Sequence, residues 1–438
     1  MNISVVGSGY VGLVSATCFA ELGNNVTCID VIKEKVDAIN AGKTPIYEEG
    51  LEGMLQRNLS AGRLKATLDF QDAVKNSDVT FICVGTPSSD DGSTDLKYIE
   101  SAANSIGKAL KEKNAYHVVV VKSTVPPGTT EKAASIIERE SGKKLGGGFG
   151  ACMNPEFLKE GAAVKDFMEP DRVVIGASDE KAAGVLEELY SPFKEKTSFL
   201  KTNTKTAEMI KYASNAFLAT KVSFINEIAN MCEKLGIDVY DVADGMGFDK
   251  RINRYFLNAG AGWGGSCFGK DVKSLVHTSK QAGYEPQILG ATIRVNELQP
   301  LKLVEIAESE LGDLKEKRVA LLGLAFKPGT DDMRDAPSIK VINALLEKGA
   351  SVTAYDPKAA ENAEKIFSGR IAYTSSALKA LEGADACIII TEWPEFKQIT
   401  AEDYKKMKNP LVIEGRRVLG EHEMSGVKYR GIGRGEHA

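Results

Sequence analysis

Short β-branched, apolar runs alternate with stretches of helical spacing over the first part of the chain. ISVVG from Ile3, NVTCID from Asn25, VTFICVG from Val79 and HVVVVKST from His117 are the continuous apolar runs of strands buried on both faces. Between them Ala, Leu, Lys and Glu recur at helical spacing. A doubly wound α/β sheet is therefore predicted over residues 3 to about 198. From 205 to 235 apolar residues recur at i, i+3, i+4 and i+7, with no Pro and no Gly. That pattern predicts one long helix, stopped by Gly236. Helical spacing continues to about 311, broken by a glycine-rich stretch at 260–269.

From residue 317 the α/β pattern returns. RVALLGLAF, a helix over about 338–348, SVTAYDP and ADACIIITEW repeat the order of the first part. Both second strands end in an aspartate, Asp30 and Asp356. Strand–helix alternation alone fits any α/β protein, but it does not explain the shared aspartate. The expected fold is α/β: two Rossmann-like doubly wound domains joined by a long central helix and a helical connector. The boundaries are drawn at 1–200, 201–312 and 313–438.

At 438 residues the chain is too long for one ordinary core. Hydrophobic and charged fractions of 43% and 26% are those of a soluble globular protein. A net charge of -5 argues against general nucleic-acid affinity but allows a local basic pocket. Seven cysteines without a CxxC pair suggest neither a metal site nor a disulfide framework, and fit a reducing cytoplasm. MNISVVGSGY runs straight into a strand, so no signal peptide is expected. The apolar runs, such as 118–121, are too short to span a membrane.

Gly7, Ser8, Gly9, Tyr10, Val11 and Gly12 form a GxGxxG at the first strand–helix turn. The first glycine permits the turn, the second lets a pyrophosphate approach, and the third lets helix and strand pack closely. Asp30, at the end of the next strand, is placed to bind the adenosine ribose and repel a 2′-phosphate, so NAD is favoured over NADP. The corresponding turn of the second unit, from Gly323 to Lys327, lacks the glycines. Lys327 and Arg334 lie in the following loop; such cations either reach phosphates or are simply solvated.

The stretch GAGWGGSCFGKD, residues 260–271, packs glycines around Cys267. Glycines let backbone approach a ligand and amides converge on it. A thiol heading a helix is acidified and nucleophilic, and Asp271 lies one turn further on. The other cysteines lie in strand or helix patterns. A nucleophilic thiol beside a nicotinamide suggests oxidation of an alcohol through to the acid. A thiolate adds to the aldehyde, the thiohemiacetal is oxidised to a thioester, and water releases a carboxylate.

With these motifs the chain closely resembles the UDP-glucose 6-dehydrogenase family over essentially its whole length. The resemblance rests on GSGYVG, VGTP, KSTVPPGTT, NPEFLKEG, DFMEPDRVVIG, KYASNAFLA, GWGGSCFGKD, FKPGTDDMRDAPS and EGRRVLG. One departure is Gly269, where the family often has proline. The resemblance implies a homodimer, NAD as cofactor, and conversion of UDP-glucose to UDP-glucuronate at the expense of two NAD. It implies Cys267 as nucleophile, with Lys211 and Asn215, four apart on the long helix, stabilising an oxyanion. Glu160 looks like the acid–base residue near the hydrolytic water, with Thr124, Glu156 and Asp271 in support. Which group is the base for the first oxidation stays open.

For the cofactor the resemblance implies Gly7, Gly9, Tyr10, Val11, Gly12, Asp30, Lys35, Thr86, Thr124, Glu160, Lys270 and Arg334. For the UDP-sugar it implies Glu156, Phe157, Leu158, Lys211, Asn215, Tyr255, Leu257, Asn258, Gly264, Phe326, Lys327 and one of Arg416 or Arg417. Arg251 is expected to reach the sugar nucleotide of the other subunit. A sister enzyme acting on UDP-N-acetylmannosamine or GDP-mannose is the nearest alternative. A two-electron hydroxyacid dehydrogenase of the 6-phosphogluconate type would need neither Cys267 nor a second Rossmann unit. A nucleotide-sensing protein would have no use for a nucleophile.

Overall fold

The computed structural model describes residues 1–419 and 424–435. Internal contacts divide the chain into two compact units, Met1–Ser214 and Asn215–Ala438.

The first unit holds eight strands: β1 (Asn2–Val6), β2 (Asn25–Ile29), β3 (Leu64–Thr67), β4 (Val79–Ile82), β5 (His117–Val121), β6 (Phe149–Met153), β7 (Arg172–Ala177) and β8 (Ser198–Thr202). Their order is β3-β2-β1-β4-β5-β6-β7-β8. The first six follow the 3-2-1-4-5-6 order of a dinucleotide fold. Every residue of β4, β5 and β6 is buried, as their continuous apolar runs predict. On one face the helix Tyr10–Glu21 packs Phe19 against Phe81 and Phe167, at ring-centroid distances of 4.9 and 5.0 Å.

One pairing departs from the expected parallel sheet: β6 and β7 are antiparallel. Residues 154–171 contain only the short helix Ala163–Met168. They never cross back to the starting edge, so β7 descends from the end where β6 stopped. The segment carrying Glu156 and Glu160 is thereby kept at the carboxyl end of the strands, where ligands bind in open α/β sheets.

The helix Thr204–Leu235 is continuous over 32 residues. Asn203 caps its start by accepting from the Thr206 N–H at 2.8 Å, and Gly236, at φ +70°, ends it.

The second unit carries β9 (Arg318–Leu322), β10 (Ser351–Tyr355), β11 (Ala372–Tyr373), β12 (Ala386–Ile389), β13 (Leu411–Glu414) and β14 (Lys428–Gly431). Their order, β11-β10-β9-β12-β13-β14, repeats the 3-2-1-4-5-6 pattern with all pairs parallel. The paired aspartates do the same job in both units. Asp30 accepts from the Ser8 N–H at 2.9 Å, and Asp356 accepts from Leu324 and Ala325 N–H at 2.7 and 3.1 Å. Each ties the end of its unit's second strand to the turn after the first strand.

Among the described residues no helix is long and apolar enough to cross a membrane.

Candidate active site

In the first unit the glycine-rich turn fits a dinucleotide. A Cβ on Gly12 would lie 1.9 Å from the Gly7 carbonyl oxygen, so helix and turn touch only because none is there. Gly7 sits at φ +98°, where a Cβ would meet the Cys83 carbonyl at 2.7 Å. At Gly9 the situation reverses: nothing lies within 4 Å of a Cβ position. That open space faces the start of the helix Tyr10–Glu21, whose first N–H groups lack intrahelical partners. It is the cradle a pyrophosphate would fill.

Asp30 is half-buried. Burial pushes its carboxyl up, but the Ser8 hydroxyl and N–H, the Ile32 N–H and the Lys35 charge hold it below the usual value. It is an anion at neutral pH. Thr86 is buried just past β4, and Thr124 lies just past β5, at the same end of the sheet.

Glu156 and Lys211 form a buried ion pair at 2.9 Å, with side chains 6% and 4% exposed. Burial opposes the Glu156 charge. The Lys211 ammonium outweighs it, together with the Leu158 N–H, which donates at 2.6 Å, and keeps the carboxyl below its ordinary value. The Lys211 nitrogen also lies 5.4 Å from the centroid of Phe157, and the Arg172 guanidinium stacks on that ring at 3.6 Å. Nearby Lys122 is buried and donates to Asn154 at 2.9 Å; burial lowers it to about 8. Glu160 stands close enough to Tyr10 for its charge to raise the phenol.

In the second unit Cys267 occupies the N-cap position of the helix Phe268–Gln281. It is the partly exposed one of the seven cysteines, none of them in a disulfide; the other six are buried. Its thiol lies 3.5 Å from the Ser266 hydroxyl. Asp271, in the first turn, is 1% exposed and takes hydrogen bonds from the Asn215 amide at 2.6 Å and the Lys270 ammonium at 2.5 Å. Asn215, Lys270, Asp271 and the Cys267 backbone therefore form one cluster, since the Asp271 N–H also donates to the Cys267 carbonyl at 2.9 Å.

The glycines around this thiol also let the loop pack closely within its own unit. A Cβ at Gly260, Gly262, Gly264 or Gly265 would lie 2.3–2.7 Å from Gly415, Asn296, Asp335 or Phe326 respectively. At these four positions the backbone is pressed onto protein atoms. At Gly269 the Asp335 carboxylate fills the space, 2.4 Å from a Cβ position.

A cavity of about 330 Å³ in this unit is lined by Tyr255, Asn258, Gly264, Phe326, Lys327 and Arg416, all expected from sequence. Phe256 and Trp263, of the same 255–264 loop, line it too, as does Glu392, which was not foreseen. Arg416 is held by the Gly262 carbonyl at 2.5 Å and by Glu392 at 3.5 Å. Arg417 turns elsewhere, pairing with Asp238 at 2.7 Å and stacking 3.9 Å over Tyr240. Of the two arginines, Arg416 faces the cavity. Leu257 is 2% exposed in the core and lines none of it. Arg334 is exposed and chelates Asp332, while its carbonyl accepts from the Gly265 N–H at 2.8 Å. Arg251 is 89% exposed and pairs with Asp249.

Three family models cover most of the chain. They are the NAD-binding domain of the UDP-glucose/GDP-mannose dehydrogenase family at residues 1–194, its central domain at 205–298 and its UDP-binding domain at 320–421. The chain is 46% identical to the UDP-glucose 6-dehydrogenase TuaD of Bacillus subtilis, over 99% of this chain and 93% of that one. It is 44% identical to the UDP-glucose 6-dehydrogenase AglM of Haloferax volcanii, over 99% and 100%. The solved UDP-glucose dehydrogenase of the archaeon Pyrobaculum islandicum superposes with a TM-score of 0.93 at 42% identity, covering 99% of this chain and 97% of that one. With these likenesses, and with a first unit whose glycine turn accepts NAD, the chain belongs to the UDP-glucose/GDP-mannose dehydrogenase family.

Proposed function

We propose that the chain oxidises the 6-hydroxyl of UDP-glucose to a carboxylate, giving UDP-glucuronate, with a covalent intermediate on Cys267. The observation that carries this reading is the position of Cys267, partly exposed at a helix N-terminus beside the buried Asp271–Asn215 pair. Bound NAD supplies the acceptor for the two electron pairs removed per sugar.

The residues of this chain do the rest. Thiolate sulfur adds to the aldehyde carbon, the carbonyl π pair moves onto oxygen, and a C–S bond forms. The Asn215 amide and the Lys211 ammonium, on one face of the long helix, stabilise that oxygen as it gains charge. After the second oxidation the sugar is a thioester of Cys267. Glu160, with Thr124, takes a proton from water as it attacks. The C–S bond breaks, and the thiol is regenerated with release of the acid. Arg416, Lys327 and Phe326 hold the nucleotide in the second unit.

UDP-glucose is preferred over a sister substrate because the relatives of that name are 42–46% identical to this chain. The UDP-D-ManNAc dehydrogenase of Pyrococcus horikoshii is 33% identical. The functional division follows residues 1–200, 201–312 and 313–438. The working unit is a cytoplasmic homodimer in which Arg251 completes the other subunit's site. Phe217, Phe224 and Met231, seven apart on the long helix and all exposed, suit a helix face covered by a second copy. The test is a panel of nucleotide sugars with NADH release measured. Two NADH per UDP-glucose and no free aldehyde are expected; one NADH with an aldehyde product overturns the mechanism.

A further inference from the structure

Glu48 lies in the loop between the helices Lys33–Asn40 and Leu51–Ser60, outside every regular element, yet it is 6% exposed. Its carboxylate is spent on another part of the first unit. One oxygen accepts from the Gly161 N–H at 2.8 Å, and the other accepts from the Ala163 N–H at 2.8 Å. The Tyr10 hydroxyl donates to the same carboxylate, and it also accepts from the Gly161 N–H at 3.1 Å. That hydroxyl lies 3.3 Å from the Lys159 carbonyl. Burial and the Glu48 carboxylate raise the Tyr10 phenol far above its ordinary value, so it keeps its proton and donates.

These contacts close around Glu160 from both sides. Within its own segment, Glu156 braces Leu158, Asp166 braces Lys159, and the Ala162 N–H donates to the Lys159 carbonyl at 2.9 Å across Glu160. From outside the segment, Glu48 and Tyr10 add the side-chain acceptors that hold the Gly161 and Ala163 N–H groups just beyond Glu160. Tyr10 is also the first residue of the helix that follows Gly9. One carboxylate thus links the backbone flanking Glu160 to the turn that receives the pyrophosphate.

We propose that Glu48 is a positioning residue: through Tyr10 and the N–H groups of Gly161 and Ala163 it sets where Glu160 stands relative to the glycine-rich turn. The inference rests on the acid–base role given to Glu160 above. A buried charged acceptor holding two backbone donors fixes a loop far more tightly than solvent does. A catalytic carboxylate displaced by about 1 Å loses on the order of a hundredfold in rate.

The experiment is a double-mutant cycle on the full chain, with Glu48→Gln, Glu160→Gln, both together, and Tyr10→Phe. Glu48→Gln should lower kcat roughly tenfold or more while the KM for UDP-glucose moves less than about threefold. Because hydrolysis is the step slowed, the acyl group should accumulate on Cys267 during turnover, seen by mass spectrometry of the intact protein. NAD affinity, titrated without sugar, should also weaken, because Tyr10 is shared. The Glu48 and Glu160 effects should not add, since one acts through the other. Tyr10→Phe removes a single hydroxyl and should reproduce part of the loss, which keeps the test open should Glu48→Gln fold poorly. Additive effects, or wild-type kcat with no acyl build-up in Glu48→Gln, overturn the positioning role. Full activity in Glu160→Gln instead overturns the role given to Glu160, and this inference with it.

Discussion

The Asn215 amide donates to the Asp271 carboxylate at 2.6 Å, so the long helix and the helix headed by Cys267 share a buried hydrogen bond. The other Asp271 oxygen takes the Lys270 ammonium. Removing the carboxylate strands a buried amide and takes one acidic partner from Lys270, a loss of roughly 1–3 kcal/mol. Asp271→Ala should therefore lower the melting temperature of the second unit by about 5 °C. An unchanged melting curve would mean the bond holds nothing together.

Cys267→Ser tests the nucleophile directly. A serine hydroxyl ionises far less readily than a thiol near neutral pH, and an oxygen ester is a poorer acyl donor. Acid production should fall by several powers of ten, about 4 kcal/mol or more of barrier. Binding of NAD and UDP-glucose, measured by calorimetry, should survive. Cys152, buried in β6, serves as the control: Cys152→Ala should leave turnover intact. Near-full acid production by Cys267→Ser would refute covalent catalysis.

Asp30 has two jobs, and its removal should reveal both. It anchors the glycine-rich turn through Ser8, and its negative charge opposes a 2′-phosphate. Asp30→Ala should raise the KM for NAD about tenfold, the worth of one charged hydrogen bond. It should also narrow the preference for NAD over NADP. Equal use of both cofactors by the unaltered chain would contradict the assignment.

Two buried groups should make the units respond to pH in opposite senses. His117 in β5 is fully buried; burial first, then the Lys113 charge, lowers it from 6.5 to about 3. The unfolded chain takes up that proton and the folded chain does not. Its contribution is full above pH 6.5 and is lost as pH falls toward about 3. Glu414 at the end of β13 is pushed by burial from 4.5 up to about 7, against the opposing pull of Tyr429 and of the Leu419 and Val418 N–H groups. Its contribution is full below pH 4.5 and is lost as pH rises through about 7. Scanning calorimetry on acidification from about pH 6.5 to 4.5 should lower the first unit's transition and raise the second's. His117→Gln and Glu414→Gln should each flatten one of these slopes; parallel slopes unaffected by either change would discredit the pair.

Arg251 provides a test of assembly. Arg251→Ala and Cys267→Ala chains should each be nearly inactive alone. Mixed after subunit exchange, they should regain activity, because one site in each hybrid keeps both residues. No recovery despite demonstrated exchange would mean that each chain builds its site alone.

The glycine turn, the long helix and the paired aspartates were legible because each is a local pattern in a fold whose buried strands are continuous apolar runs. The reversal of β7 was not: RVVIGA is equally apolar in either direction, and only the missing crossover after β6 sets its sense. Glu48 left no trace because its partners are the Tyr10 hydroxyl and two backbone N–H groups more than a hundred residues away, and no local pattern marks those. Arg416 and Arg417 are the same residue type side by side, separated only by the backbone path after Gly415. The glycines near Cys267 were visible as a cluster, but whether each met a ligand or a neighbouring side chain depended on contacts from distant segments.

The burial of six thiols beside one that reaches solvent gives the chain a built-in gauge of its own integrity. Core packing shields Cys18, Cys28, Cys83, Cys152, Cys232 and Cys387, and burial makes each harder to ionise. A bulky, water-borne disulfide reagent therefore meets a single reactive equivalent per intact chain, and all seven once denaturant opens the core. The ratio of those two colour yields measures the competent fraction of a preparation with no substrate present. With Cys267 as the proposed nucleophile, mild oxidants would silence catalysis long before they could touch the scaffold.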